Sequence, residues 1–252
     1  METRKKIVQY LDTYLNTKAV KDASWNGLQF EGAPSVKKIV FSVDAGVEVF
    51  ERAAEEKADM LIVHHGMFWK HGDPSINGIN KKRLDILYKN NISLYASHLP
   101  LDMHKKVGNN AELFRLIGAR ITGEFGMYDG AHVSFMGRFT KPVTLKTVTK
   151  KLEKTLSTEC TVLAFGPKKI KTVGLVSGGA GYACAGEAID RGLDLYITGE
   201  ELEVYHMARD AGINIIFAGH HATETTGVQA LQKHLDKKFK VKTVFIDVPT
   251  GL

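Results

Sequence analysis

A chain of 252 residues, 44% apolar and 25% charged, has the length and composition of a globular protein with one large core or two modest ones. No apolar run approaches the roughly 18 residues that cross a bilayer. The N-terminus lacks the sustained apolar segment of a secretory signal. Two cysteines without CxxC spacing, Cys160 and Cys184, argue against a disulfide scaffold and a thiolate zinc site, so the cytoplasm is the expected compartment and no membrane partner is expected. The net charge of +6 is spread over short groups such as Lys37-Lys38, Lys81-Lys82-Arg83 and Lys237-Lys238. Solvated surfaces explain these as well as a phosphate track does.

In chain order, Ile7, Val8, Leu11, Tyr14 and Leu15 share one face and predict an amphipathic helix over 4–15. A stretch punctuated by Asn26-Gly27 and Gly32-Ala-Pro34 follows. Lys38–Val43 then reads as a strand ending in Asp44, and a helix over 46–57 leads to the apolar run Met60–Val63, after which come His64-His65-Gly66. A helix over 79–89 leads to the strand Ile92–Ser97, which ends in His98-Leu-Pro-Leu-Asp102. A further helix follows Gly108-Asn109-Asn110. Alternating helix and strand patterns of this kind predict α/β units on a mostly parallel sheet.

Around 122–130 the character changes, and Gly123, Gly126 and Gly130 read as a joining loop. A strand is expected over 132–139, a helix from Lys141 to about Leu156, and a strand over 160–165. The pattern of the first half then returns. A strand over 172–176 ends in Ser177-Gly-Gly-Ala-Gly181, a turn that could cradle phosphate or simply pack closely. Helix 182–191, strand 193–197 with Thr198-Gly199-Glu200, helix 201–211 and strand 213–217 with Gly219-His220-His221-Ala-Thr-Glu224 follow. Helix 225–238 and strand 242–247 complete the chain. Three helix-to-strand junctions share a spacing, Ala54 to Ala58, Ala188 to Gly192 and Ala208 to Gly212, as expected of two related halves. The expected domains are 1–125 with 225–252, and 126–224.

Three strand ends thus carry ligand-type residues: His64-His65, His98 with Asp102, and His220-His221 with Glu224. In parallel sheets ligands gather beyond the carboxyl ends of strands. His220 and Glu224 are four apart and share a face if the helix has begun there. Imidazoles with carboxylates suit zinc, iron, nickel or manganese without selecting one. The number of donors exceeds one tetrahedral ion and fits two, with a carboxylate able to bridge them. Each residue also has an ordinary reading, as a loop histidine or a first-turn acid. Glu200 and His206 could each act in proton transfer or be surface residues.

Trp25-Asn-Gly-Leu-Gln29, Val63-His-His-Gly66 with Phe68-Trp69, His98-Leu-Pro-Leu-Asp102, Gly108-Asn-Asn110, Ile197-Thr-Gly-Glu200 and Gly219-His-His-Ala-Thr-Glu224 together resemble the GTP cyclohydrolase 1 type 2 homologue family, the NIF-three-like dinuclear metal proteins. The resemblance implies that His64, His65, Asp102, His220 and Glu224 hold two divalent ions per chain, with Glu224 as the bridge. His98 would lie beside the metals as a further ligand or an acid–base group. It also implies two α/β domains, with the metals at the strand ends between them, and a homohexameric ring. The activity it implies is metal-dependent hydrolysis that opens the purine ring of GTP, with His98 or Glu200 moving the proton. Two other readings stay open: a phosphoesterase acting on nucleotides or nucleic acid, and a ring-shaped scaffold that binds metal, DNA or protein without turnover.

Overall fold

The uninterrupted apolar runs of the sequence form the central strands of two sheets, because a strand covered on both faces has no polar side to show. The computed structural model describes residues 1–252. From the N-terminus the elements are β1 (Glu2–Thr3), α1 (Arg4–Tyr14), β2 (Gly27–Phe30), β3 (Ser35–Val36), β4 (Lys38–Asp44), α2 (Val47–Glu55), β5 (Met60–His65), α3 (Gly78–Lys89), β6 (Ser93–Ala96) and the single turn α4 (Leu99–Asp102). Then come α5 (Asn109–Ile117), β7 (Arg120–Tyr128), β8 (Ala131–Thr144), α6 (Leu145–Leu156), β9 (Thr161–Ala164) and β10 (Lys169–Val176). The chain finishes with α7 (Gly181–Asp190), β11 (Leu195–Thr198), α8 (Tyr205–Ala211), β12 (Asn214–Phe217), α9 (His220–Lys238) and β13 (Lys242–Phe245). No helix is long and apolar enough to cross a membrane.

Two compact units result, Met1–Leu101 with Val228–Val248, and Asp102–Gly227 with Pro249–Leu252. The first carries a sheet in the order β13-β4-β5-β6-β2. Its pairings are parallel except for β2, which lies antiparallel on β6. Val40, Phe50, Leu61, Val63 and Leu94 form its core. The second unit carries the order β7-β8-β10-β11-β12-β9, in which only β10-β11 and β11-β12 are parallel. It is therefore an α/β layer with a mixed sheet.

The second unit includes residues 102–125, which the change in sequence character assigns to the first domain. Phe114 and Ile117 of α5 are buried with Phe135, Val148 and Ile170, and β7 pairs along β8. The segment expected to be a loop is thus a strand. Asp129 (φ 46°) and Gly130 (φ 85°) make the two-residue turn of a hairpin in which Tyr128 faces Ala131. Positive φ at both positions matches the twist of the flanking strands, and Asp-Gly is a strong signal for that turn. The helix expected from Lys141 begins instead at Leu145. Residues up to Thr144 remain in β8, whose pairing jumps from Arg138↔Thr172 to Val143↔Ile170. Pro142 lies in that irregularity, where no ladder donor is demanded of it.

The helix-to-strand repeat is present, with its first copy one residue earlier than the sequence spacing suggests. Ala58 N donates to Ala53 O (3.0 Å), Leu193 N to Ala188 O (3.0 Å) and Ile213 N to Ala208 O (3.1 Å). Each is the wrap-around bond that ends a helix through one left-handed residue, here Lys57, Gly192 and Gly212. The acceptor alanines are all fully buried. The next polar residue also recurs. Asp59 Oδ2 accepts from Lys37 N and Lys38 N, and Asp194 Oδ2 from Lys171 N and Thr172 N. The same device starts a strand pair in each unit.

Candidate metal centre

In the first unit β5 and β6 run parallel with Val63 opposite Ala96, so their carboxyl ends deliver His64-His65 and His98 side by side. The two adjacent histidines are the last residues of β5 rather than the first beyond it. Ring centroids are 4.6 Å apart for His64 and His65, 5.1 Å for His64 and His98, and 5.5 Å for His65 and His98. One ligating nitrogen from each of the three can lie within 4.8 Å of the others.

Each ring is fixed from behind. His64 Nδ1 lies 2.8 Å from the Ser97 carbonyl oxygen, His65 Nδ1 2.7 Å from Asp44 Oδ1, and His98 Nδ1 2.9 Å from Asp22 Oδ1. A carbonyl or ionised carboxylate can only accept, so Nδ1 is the donor in each ring and Nε2 is the nitrogen on its other side. A ligating histidine normally has this second partner, which sets its tautomer and orientation. Asp22 is itself buried and also accepts from Ser24 N, Asn26 Nδ2 and Leu99 N. Burial alone would raise its carboxyl, but the bond and charge of His98, with the Asn26 and Ser24 donors, hold it down to about 2. Trp69 meets His98 edge-on at 5.0 Å and donates Nε1–H to Gly66 O, which makes it a wall of this cluster.

In the second unit α9 begins at His220, five residues before the expected start. The four-residue spacing is therefore helical, and His220 Nε2 lies 3.2 Å from Glu224 Oε2. His220 Nδ1 lies 2.7 Å from Glu200 Oε1. Glu200 thus stands behind His220 as Asp44 stands behind His65. Burial lowers the His220 pKa, but the two carboxylates outweigh it and raise it to about 9. His220 rather than His221 faces Glu224; His221 is buried, and its amide donates to Leu252 O.

The Ser177-Gly178 turn gathers the acids. Asp102 Oδ1 accepts from Ser177 Oγ (3.1 Å) and Asn109 Nδ2 (2.8 Å). The Gly178 amide donates to Thr223 Oγ1, and the Ser177 amide to Asn110 Oδ1. A Cβ on Gly178 would collide with the Glu224 carboxylate, and φ there is +63°. The glycines therefore let carboxylates come close to the backbone, and the first two amides of the turn are used inside the protein rather than turned toward a phosphate. Asp102 and Glu224 are both buried and both sit against this one strand end.

The first unit offers three imidazoles with orienting acceptors, and the second offers an imidazole beside buried carboxylates; each group by itself is of the donor types that suit divalent transition metals. Of the residues named from the sequence, His64, His65 and His98 come together in the first unit, and His220 meets Glu224 in the second, where Asp102 is bonded to Ser177. Those missed are their partners: Asp22, Asp44, Asn109, Asn110, Ser177 and Thr223. Asn109 and Asn110 stood in one of the resembled segments, and Asp44 ended a strand. Asp22 carried no signal.

The model of the Duf34/NIF3 (NGG1p interacting factor 3) family matches residues 2–251. A protein of Archaeoglobus fulgidus named GTP cyclohydrolase 1 type 2 homolog is 44% identical over 98% of each chain. One of Pyrococcus horikoshii with the same name is 45% identical over 99% of each. Among solved structures, protein ybgI, described as of unknown function, superposes with a TM-score of 0.93 at 36% identity, over 99% of this chain and 100% of that one.

Proposed function

The chain belongs to the Duf34/NIF3 family, and on that premise we propose that it is a metal-dependent hydrolase with two divalent ions held by His64, His65, Asp102, His220 and Glu224. The observation that carries this reading is the shared orientation of His64, His65 and His98, each with Nδ1 held by an oxygen acceptor so that the same ring nitrogen, Nε2, is turned the other way. Three histidines serving packing alone would not need three separate acceptors to turn the same nitrogen inward.

Bound there, divalent ions would supply Lewis acidity and lower the pKa of water toward neutrality. The chain's own residues do the rest. Asp44 and Asp22 fix His65 and His98, and Glu200 fixes His220. Glu224 would serve both ions as their shared carboxylate. His98 is the acid–base group nearest an aromatic wall, Trp69, against which a flat heterocycle would rest. The name of the relatives makes GTP the first substrate to test, with hydrolytic opening of the guanine imidazole ring as the reaction. The chain acts as a homohexameric ring in the cytoplasm, so its mass in solution should be six times 27.8 kDa.

The test is metal analysis of the purified protein followed by assay with GTP under the metal found. Formate release that disappears in Glu224→Ala supports the cyclohydrolase reading. Phosphate release in its place would make the protein a phosphoesterase. A fully loaded protein inert to a panel of nucleotides would leave the metal site and refute the hydrolase.

A further inference from the structure

At the opposite edge of the first sheet, where β4 and β13 begin, lies an open cleft of about 720 Å³. Six of the residues lining it are lysines: Lys37, Lys38, Lys237, Lys238, Lys240 and Lys242; Asp236 is its one acid. Lys38 is paired with Glu56 at 2.6 Å; the other five make no ion pair within 4 Å, and Lys240 acts on the Glu2 carboxylate only from a distance. Lys38 and Lys242 are direct neighbours in the register of β4 and β13, and Glu56 offsets only the first of these charges. The dipole of α9 accounts for Lys237 and Lys238 in its last turn. It does not account for Lys37, Lys240 and Lys242, which lie outside the helix.

We propose that this cleft binds a linear chain of phosphates through charge alone. The volume is that of a small-ligand site, and the charge exceeds what one orthophosphate can neutralise. Lysines act as point charges, without the bidentate fork that reads a planar group. Phe239, the aromatic residue in the lining, is only 5% exposed, so no ring is offered for a base to stack on. Recognition therefore stops at the phosphates, whether they belong to a nucleoside triphosphate or to a nucleic-acid backbone. The site is separate from the histidines, since the seven residues of β4 span about 20 Å between the two sheet edges.

The test is titration of the full-length protein with inorganic tripolyphosphate at several salt concentrations. Wild type should bind with an affinity that falls steeply with salt, and at least tenfold more tightly than it binds orthophosphate. Lys237→Gln/Lys240→Gln/Lys242→Gln should weaken binding at least tenfold, with thermal unfolding showing that the variant is folded; single Lys240→Gln provides a milder second measure. Glu224→Ala should leave binding unchanged. Binding that ignores the lysine variants, or that is lost with Glu224→Ala through chelation at the metal residues, overturns the proposal. Displacement by ATP at lower phosphate concentration than by a single-stranded oligothymidylate assigns the site to nucleotides, and the reverse order assigns it to nucleic acid. Displacement by neither overturns it.

Discussion

Asp22 and His98 are 76 residues apart in the chain, and the carboxylate of the first holds the imidazole of the second at 2.9 Å. Asp22→Asn keeps the shape and removes the charge that sets the ring. Loss of such a partner typically costs about 10–100-fold in metal affinity, and that is the expected outcome, read by competition with a chromophoric chelator. The same carboxyl gives a pH signature in metal-free protein. Its pKa falls from 3.8 to about 2 on folding, so its contribution to stability is complete above about pH 4 and is lost as pH falls toward 2. The amount is on the order of 2 kcal/mol. Denaturation of wild type between pH 5 and pH 2 should show that slope, and Asp22→Asn should lack it.

His220 behaves in the opposite sense. With Glu224 and Glu200 beside it, its pKa rises from 6.5 to about 9. The ion-pair contribution of metal-free protein is therefore complete below pH 6.5 and is lost as pH rises through 9. A metal can use this imidazole only after it gives up the proton. Metal uptake should then release a proton, and affinity should increase up to about tenfold per pH unit between 6.5 and 9. A flat affinity over that interval would mean that His220 does not ligate.

Gly178 is the point where Glu224 meets the backbone. Gly178→Ala places a methyl group where the carboxylate lies and imposes a left-handed conformation on a residue with a Cβ, at a cost of roughly 1–2 kcal/mol. The fold should survive this. Metal stoichiometry should fall, because Glu224 must leave its place. Metal analysis alongside a denaturation curve separates the two effects, and a variant that keeps full metal would remove Glu224 from the ligand set.

The strand-end positions of the candidate residues were legible because buried parallel strands give uninterrupted apolar runs, and a run that stops at His64, His98 or His220 marks its own carboxyl end. Their partners were not legible, since the bond from Asp22 to His98 exists only after the loop folds back against β6. The start of α9 was hidden for a local reason. His220-His-Ala-Thr-Glu-Thr-Thr226 has no apolar periodicity, and the turn is held by Thr223 Oγ1, which donates back to Gly219 O and His220 O. Glycine misled in β7, where Gly123 and Gly126 sit inside a strand and a register shift falls between Ile121 and Gly123. The Asp129-Gly130 pair was the better guide to that region.

The repeat itself makes the last prediction. At the three equivalent helix ends the left-handed residue is Gly192 in one copy, Gly212 in another, and Lys57 (φ 53°) in the first unit. Left-handed φ costs a residue with a Cβ roughly 1–2 kcal/mol relative to glycine, while glycine gives back part of this through the greater freedom of its unfolded chain. Lys57 is exposed and lies at a helix end far from the carboxyl tips of the strands. Lys57→Gly should therefore stabilise the protein by about 0.5–1 kcal/mol with metal content unchanged. Gly192→Lys and Gly212→Lys, which install the same penalty in the second unit, should each destabilise it. Urea midpoints of the three variants test this, because a left-handed position at all three helix ends predicts a gain for Lys57→Gly and a loss for each lysine variant.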